Sequence, residues 1–380
     1  MDFEFSEELN MLRSMVAKFA ETEIAPLSYD CDKEERCTPE ITRKAGELGL
    51  IGAWAPEECG GSGFGWQGMA IVAEELSRID LGIGINIITS GFGSQIIYHY
   101  GTDEQKKKYL PPIFSGEQYM AGAFTEPDAG TDAAGYKTRA VKDNKDYLIT
   151  GNKMFITHGN ICANFMAQCI TNPENKTYDR FSTIIVPADS PGLGKSKIHG
   201  KMGIRATDTA ELSFEDVRVP HENLVGKEGK GFPQLMHFFQ LMRILVGGQS
   251  IGLSRACLEE SVKYAKERKV FGAPIGSYQL TMAKLTEMAI RIETLANTTY
   301  KAAWQADVGK ADHILSAMVK YYAGQTAVFC ANAALEIHGG YGYIDEYKVQ
   351  KFYRDAKVLE IYEGVKEAEI MVIGRAVQSR

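Results

Sequence analysis

Proline and tryptophan are scarce, at 12 and 3 of 380 residues, and the 7 cysteines include no Cys-x-x-Cys pair. The low proline content and the lack of a glycine period exclude a collagen-like or proline-rich disordered chain. Cys31, Cys37, Cys59, Cys162, Cys169, Cys257 and Cys330 are scattered and odd in number. They give no disulfide framework and read as buried or bystander thiols in a reducing compartment. His99, His158, His199, His221, His237, His313 and His338 show no HExxH spacing and no tight cluster with cysteine, so no metal site is expected. Uninterrupted apolar runs fall short of the roughly 18 residues a membrane span requires. The acidic start, MDFEFSEELNML, carries neither a secretory pattern nor an arginine-rich transit pattern. A cytoplasmic protein is expected if the source is bacterial, and a mitochondrial matrix protein only if a transit peptide was removed. Basic residues are not in excess: 42 Lys and Arg against 49 Asp and Glu leave a net charge of -7, which disfavours a general nucleic-acid binder.

What is present is a chain long enough for two or three domains, with 44% hydrophobic and 24% charged residues. Ser6 is placed to cap a helix whose first turn carries Glu7 and Glu8, with Leu9, Leu12, Val16 and Phe19 at helical spacing. Ile41, Ala45 and Leu48 repeat that period. The stretch Cys59 to Gly65 reads as a loop, and helix resumes from Gln67 to Ser77. Asp103 and Glu104 before Lys106 to Lys108 have the polarity of a short helix, and Pro111 and Pro112 then punctuate the chain, where the first domain is expected to end. The middle changes to period two. Tyr147–Thr150 and Met154–Thr157 read as two short strands around a Gly-Asn-Lys bend, Phe181–Val186 as another, and Leu212–Val219 as a strand bulged near Glu215 and Asp216. After Gly231 the pattern is helical: Phe232–Arg268, Ser277–Gly309, Asp312–His338 and a last helix near Lys366–Arg375. Leu285, Met288, Ile292 and Leu295 form a stripe that reads as bundle core. The expected domains are helical over 1–118, a small and mostly antiparallel sheet over 119–231, and helical over 232–380.

Isolated motifs say less. Gly226 to Gly231, GKEGKG, lacks Walker spacing and reads as a helix-entry loop. Gly339, Gly340 and Gly342 after a long helix allow backbone amides to approach a ligand, or simply end the helix. No Gly-x-Ser-x-Gly elbow supports a hydrolase. Glu363 in LEIYEG is an exposed or capping acid on composition alone, and a general base if desolvated.

Taken in order, AFTEPDAGTD (Ala123–Asp132), MFIT (Met154–Thr157), ERKVFGAPI (Glu267–Ile275), IHGGYGY (Ile337–Tyr343) and RDAKVLEIYEG (Arg354–Gly364) resemble the signatures of the FAD-dependent acyl-CoA dehydrogenase family, over residues 3 to 376. The resemblance implies an N-terminal helical domain, a central β domain and a C-terminal four-helix bundle, assembled as a homotetramer, a dimer of dimers. It implies FAD between the β and C-terminal domains. Phe124 and Thr125 would lie along the flavin ring, Phe155 would pack on it and Thr157 would bond it. Thr131 would lie near the flavin phosphates or the acyl-CoA chain. Arg268, Phe271 and Gln279 would contact FAD across the dimer, and Glu336, Gly339 and Gly340 would border it. Arg243 would bind toward the adenosine end of CoA, its alternative being an ordinary helix salt bridge. Tyr362 and Gly364 would flank the substrate. Glu363 would be the catalytic base, taking the α-proton while the β-hydride goes to flavin N5. Electrons would then pass to electron-transferring flavoprotein.

Departures from the family pattern narrow the reading. Val365 stands where many relatives have threonine, so a hydroxyl near the flavin is missing. Met242 occupies the alternative base position and carries no proton-accepting group. No arginine occurs from Leu81 to Gly101, against a glutaryl substrate. Ile85, Ile87, Ile88, Thr89, Ser90 and Phe92 are candidates to line the acyl pocket, or are helix core. An uncharged short, medium, branched or cyclic acyl group is expected. Open alternatives are an enoyl-CoA reductase, a decarboxylating, desulfinating or oxidase relative, and a catalytically idle CoA-binding assembly protein.

Overall fold

In a computed structural model that describes residues 4–379, the chain runs from helices through a sheet to longer helices. The ends of the expected outer domains, 1–3 and 380, lie outside the described residues. The first part holds α1 (Glu7–Phe19), α2 (Ser28–Glu34), α3 (Pro39–Glu47), α4 (Gly65–Ile79), α5 (Leu81–Ile88), α6 (Ser94–Tyr100) and α7 (Asp103–Phe114). Ser6 caps α1 by accepting from the Leu9 N–H, and Leu12, Val16 and Phe19 are buried along one face. In α3 the stripe holds at Ile41 and Ala45, but Leu48 follows the helix end and is exposed. α7 runs through Pro111 and Pro112 to Phe114. They stand in its last turns, where proline's fixed φ suits the helix and only local N–H bonds are lost.

The middle sheet contains β1 (Met120–Ala123), β2 (Arg139–Asp143), β3 (Asp146–Thr157), β4 (Asn164–Ile170), β5 (Phe181–Pro187), β6 (Leu193–Lys197) and β7 (Thr209–Pro220). Strand order is β1-β4-β2-β3-β7-β6, with β5 on β4. Pairing is antiparallel except for β1–β4 and β2–β4. The two strands expected around Gly-Asn-Lys are one continuous strand, β3. Its register on β7 slips between Ile149 and Gly151 and again between Lys153 and Ile156, so the irregular residues are absorbed as bulges rather than as a turn. Asp216, at φ 52, takes up the irregularity opposite the first slip.

The last part holds α8 (Gly231–Glu267), the two-residue strands β8 (Lys269–Val270) and β9 (Ala273–Pro274), α9 (Gln279–Asp307), α10 (His313–His338), α11 (Val349–Ala356) and α12 (Lys366–Gln378). α8 runs unbroken through Gly247 and Gly248. A Cβ on Gly248 would stand 2.6 Å from the Ala70 carbonyl oxygen, and one on Gly247 2.6 Å from the Thr299 side chain. The glycines therefore let α8 approach α4 and α9 closely. Met288, Ile292 and Leu295 are buried in the bundle core, with Leu285 packed at its edge. Phe124, Phe238, Leu241 and Met242 join the N-terminal core, so the three parts share apolar packing where the sheet meets α8. Among the described residues no helix is long and apolar enough to cross a membrane, and no group of His, Cys, Asp and Glu could hold a metal ion.

Candidate active site

The C-terminal wall of the site is a turn between a 3-10 segment, Lys357–Glu360, and α12. Glu363 sits there at φ 55 and Gly364 at φ 114. Left-handed backbone at a non-glycine residue is strained, and such strain gathers at functional sites. Glu363 Oε2 is buried and meets no hydrogen-bond partner among the described residues. Burial pushes the carboxyl up to about 7, while the positive charges of Lys320 on α10 and Arg243 on α8 pull the other way. A carboxylate held near neutrality with a free oxygen is what a general base requires. Tyr362, beside it, donates its hydroxyl to Gln249 Oε1 on α8.

The sheet supplies the opposite wall. The second slip of β3 puts Met154 and Phe155 opposite one residue of β7, with Phe155 at φ 59. Without the bulge, Lys153 and Phe155 would share a face. With it, Lys153 is fully buried while the Phe155 ring is 66% exposed. Thr125 and Thr157 are half-buried nearby in the fold, and Met154 N donates to Thr125 O at 2.9 Å. Beneath them Lys153 Nζ donates to the Phe124 carbonyl at 2.9 Å and to Glu126 Oε1 at 2.9 Å. Glu126 also accepts from the Lys137 and Thr138 N–H groups. Burial would raise that carboxyl, but Lys153 and the Thr138 and Lys137 donors outweigh it and hold it below its ordinary value. Tyr136 is buried under the Lys153 ammonium, 4.7 Å from ring centre to Nζ. Burial, then Glu126 and Glu363, push its phenol up, which places Glu363 and this part of the sheet in one electrostatic neighbourhood.

Several expectations change in detail. The Phe124 ring does not face outward; it is 3% exposed and packed against Phe92 and Phe238. Thr89 donates to the Ile85 carbonyl and meets His158 Nε2, and Ser90 donates to the Ile87 carbonyl. Both hydroxyls are buried and hydrogen-bonded just past the end of α5, and Ile85 and Ile87 are buried within it. Arg243 does not reach outward: it ion-pairs with Glu369 at 2.7 Å, because α12 brings a buried acid against it. Glu336 is held by Lys284 at 2.5 Å and Asn332 at 2.9 Å on the α9–α10 surface.

Arg268, Gly339 and Gly340 line a separate cavity of about 400 Å³ with Tyr264, His338 and Tyr341. The Arg268 guanidinium lies 5.6 Å from the Tyr341 ring centre, and nothing stands within 4 Å of a Cβ built on either glycine. Phe271 is 98% exposed at the β8–β9 turn, and Gln279 and Thr131 are exposed. Lys153, Glu126 and Tyr136 were not singled out from the sequence. Glu126 lies within the AFTEPDAGTD block and Lys153 directly precedes MFIT, but a charged residue inside a strand gives no local sign of its buried partner.

Three domain profiles match the chain: acyl-CoA dehydrogenase N-terminal domain over residues 6–117, middle domain over 121–217 and C-terminal domain over 229–378. The chain is 40% identical over 382 residues to an acryloyl-CoA reductase (NADH) of Anaerotignum propionicum, covering 100% of this chain and 97% of that protein. It resembles the solved butyryl-CoA dehydrogenase of Megasphaera elsdenii at 35% identity and a TM-score of 0.96, covering 100% of both chains. A chain solved in work on the electron transferring flavoprotein of Acidaminococcus fermentans matches at 37% identity and a TM-score of 0.97, again covering 100% of both. The chain belongs to the acyl-CoA dehydrogenase family. It is an oxidoreductase acting on CH–CH donors, in a family that is generally FAD-dependent.

Proposed function

We propose that this protein removes a proton and a hydride from adjacent carbons of an uncharged acyl-CoA thioester, with Glu363 as the base. The carrying observation is the buried, unpartnered Glu363 Oε2 on a strained turn, its carboxyl raised to about 7. A weakly acidic α-carbon needs a base that is ionised near neutrality and shielded from water. Lys320 and Arg243 keep such a base from being protonated permanently, and Tyr136 and the Lys153–Glu126 pair make a fixed polar floor on the far side. Donors such as the Glu363 N–H would stabilise charge developing on the thioester oxygen.

The residues fit FAD. The outward Phe155 ring and half-buried Thr125 and Thr157 suit a ring face, and Arg268 with the open backbone at Gly339 and Gly340 suits an anionic stretch. Bound FAD would supply the acceptor for the hydride. Thr131, Phe271 and Gln279 are assigned to cofactor contacts by the family resemblance of their segments, Phe271 and Gln279 across a subunit boundary. We assign a homotetramer, supported by the exposure of Phe271, Leu280 and Tyr343. Electron-transferring flavoprotein is the assigned acceptor, supported by the Acidaminococcus neighbour. The Anaerotignum relative favours a second reading, the same site run toward enoyl-CoA reduction.

Anaerobic mixing with a panel of saturated acyl-CoAs tests the proposal. The expected result is loss of yellow colour with wild type and, in Glu363→Gln, retained FAD with bleaching slowed by about 10² to 10⁴. Wild-type-like bleaching by the variant would refute the base assignment. Failure of every acyl-CoA to bleach, with enoyl-CoAs reoxidising the reduced enzyme, would favour the reductive reading.

A further inference from the structure

Glu369 stands in the first turns of α12 and is fully buried. A buried carboxylate is costly unless a cation is held against it. Here Oε1 lies 2.7 Å from Arg243 Nη2. The pair is seated directly against the turn that carries the base: a Cβ on Gly364 would run into the Glu369 carboxylate and stand 3.5 Å from Arg243 Nη2. Besides Glu369 Oε2, which has no donor of its own, two groups of opposite sign remain unmet there among the described residues. Arg243 keeps a buried Nε without an acceptor, and Glu363 keeps a buried Oε2 without a donor. A guanidinium released from Glu369 has an obvious new partner, and a base locked in a forked ion pair has lost its free oxygen.

We propose that Glu369 is a positioning residue of the reaction, holding Arg243 in an ion pair so that this cation neither captures nor overcharges the Glu363 carboxylate. The inference rests on the reading of Glu363 as the base and deepens it. The charged and titratable groups around the Glu363 turn come from every surrounding element: Arg243 from α8, Lys320 from α10, Glu369 from α12 against Gly364, Tyr362 and, acting on Lys320, Glu360 from its own segment, and Tyr136 from the sheet part. Burial raises the Glu369 carboxyl above its ordinary value, and Arg243 followed by Lys320 opposes that rise. Lys320 is brought down to about 8 by burial, with Glu369 and Glu363 pulling upward. Removing the Glu369 charge leaves the two cations, Arg243 and Lys320, with one acid fewer around the turn. The ionised form of Glu363 is then favoured.

The test uses the FAD-loaded protein without substrate, so its outcome is separate from that of the dehydrogenation assay. A pH-difference infrared titration follows the carboxyl band of Glu363, identified by its loss in Glu363→Gln. Glu369→Gln is expected to lower the midpoint by about one pH unit or more, the size typical of an opposite charge left close by. Arg243→Gln, with Glu369 still in place, is expected to raise it. The double variant is expected to return the midpoint to wild type or above. A Glu369→Gln midpoint within about 0.3 of wild type would overturn the proposal, as would a double variant that stays as low as the single. If Glu369→Gln does not fold, Arg243→Gln decides: an unchanged or lowered midpoint overturns the proposal.

Discussion

Glu363 illustrates how a residue with a bland sequence context acquires chemistry. Its neighbour Gly364 provides φ 114, and the open space a glycine leaves is filled by Glu369 rather than by its own side chain. Gly364→Ala is therefore expected to displace Glu369 and twist the turn, lowering stability by about 1–3 kcal/mol and turnover with it. Thermal melting and steady-state kinetics check this; an alanine variant with wild-type melting would contradict the packing described. The raised Glu363 carboxyl also fixes a sign. Between its ordinary value of 4.5 and about 7, the folded protein holds a proton that the unfolded chain has released. This residue's contribution to stability therefore falls as pH rises through that window. Glu363→Gln is expected to flatten that part of the melting-temperature profile, and an unchanged slope would show that Glu363 is not the titrating group.

Elements explain which readings were available beforehand. The helices were legible because Leu12, Val16 and Phe19, or Met288, Ile292 and Leu295, repeat at helical spacing whatever they pack on. The fusion of two expected strands into β3 was not, because Gly151 and Phe155 look like turn material until β7 lies alongside and takes the slips. Arg243 was left between two readings for a similar reason: its partner Glu369 is 126 residues away in sequence (369 minus 243) and on another helix. Val365 gains a second meaning. It is the N-cap of α12, in extended conformation and with no side-chain cap bond. Val365→Thr is expected to stabilise that helix by about 0.5–2 kcal/mol, because its hydroxyl would accept a free N–H. A rise in melting temperature without change in the Glu363 titration checks the effect.

At the scale of the molecule, the site exists only because the sheet and the last helices face each other. The Lys153–Glu126 pair braces one wall, and Arg243, Lys320 and Glu369 set the charge of the other. The family signatures made this division readable, since they bracket the chain in order, but no signature revealed that Thr89 and Ser90 are spent inside the core. The same scale carries the assembly prediction. Phe271→Asp is expected to weaken subunit association and FAD retention together on dilution, read by sedimentation and flavin fluorescence; association and retention both unchanged would remove Phe271 from the interface.

The most direct test of the central claim is proton transfer observed alone. Wild-type protein and Glu363→Gln, each loaded with FAD, are incubated anaerobically in D₂O with a saturated acyl-CoA, and deuterium at the α-carbon is followed by NMR. Rapid wash-in by wild type and almost none by the variant is the predicted result. Equal wash-in by both would mean that another group moves the proton.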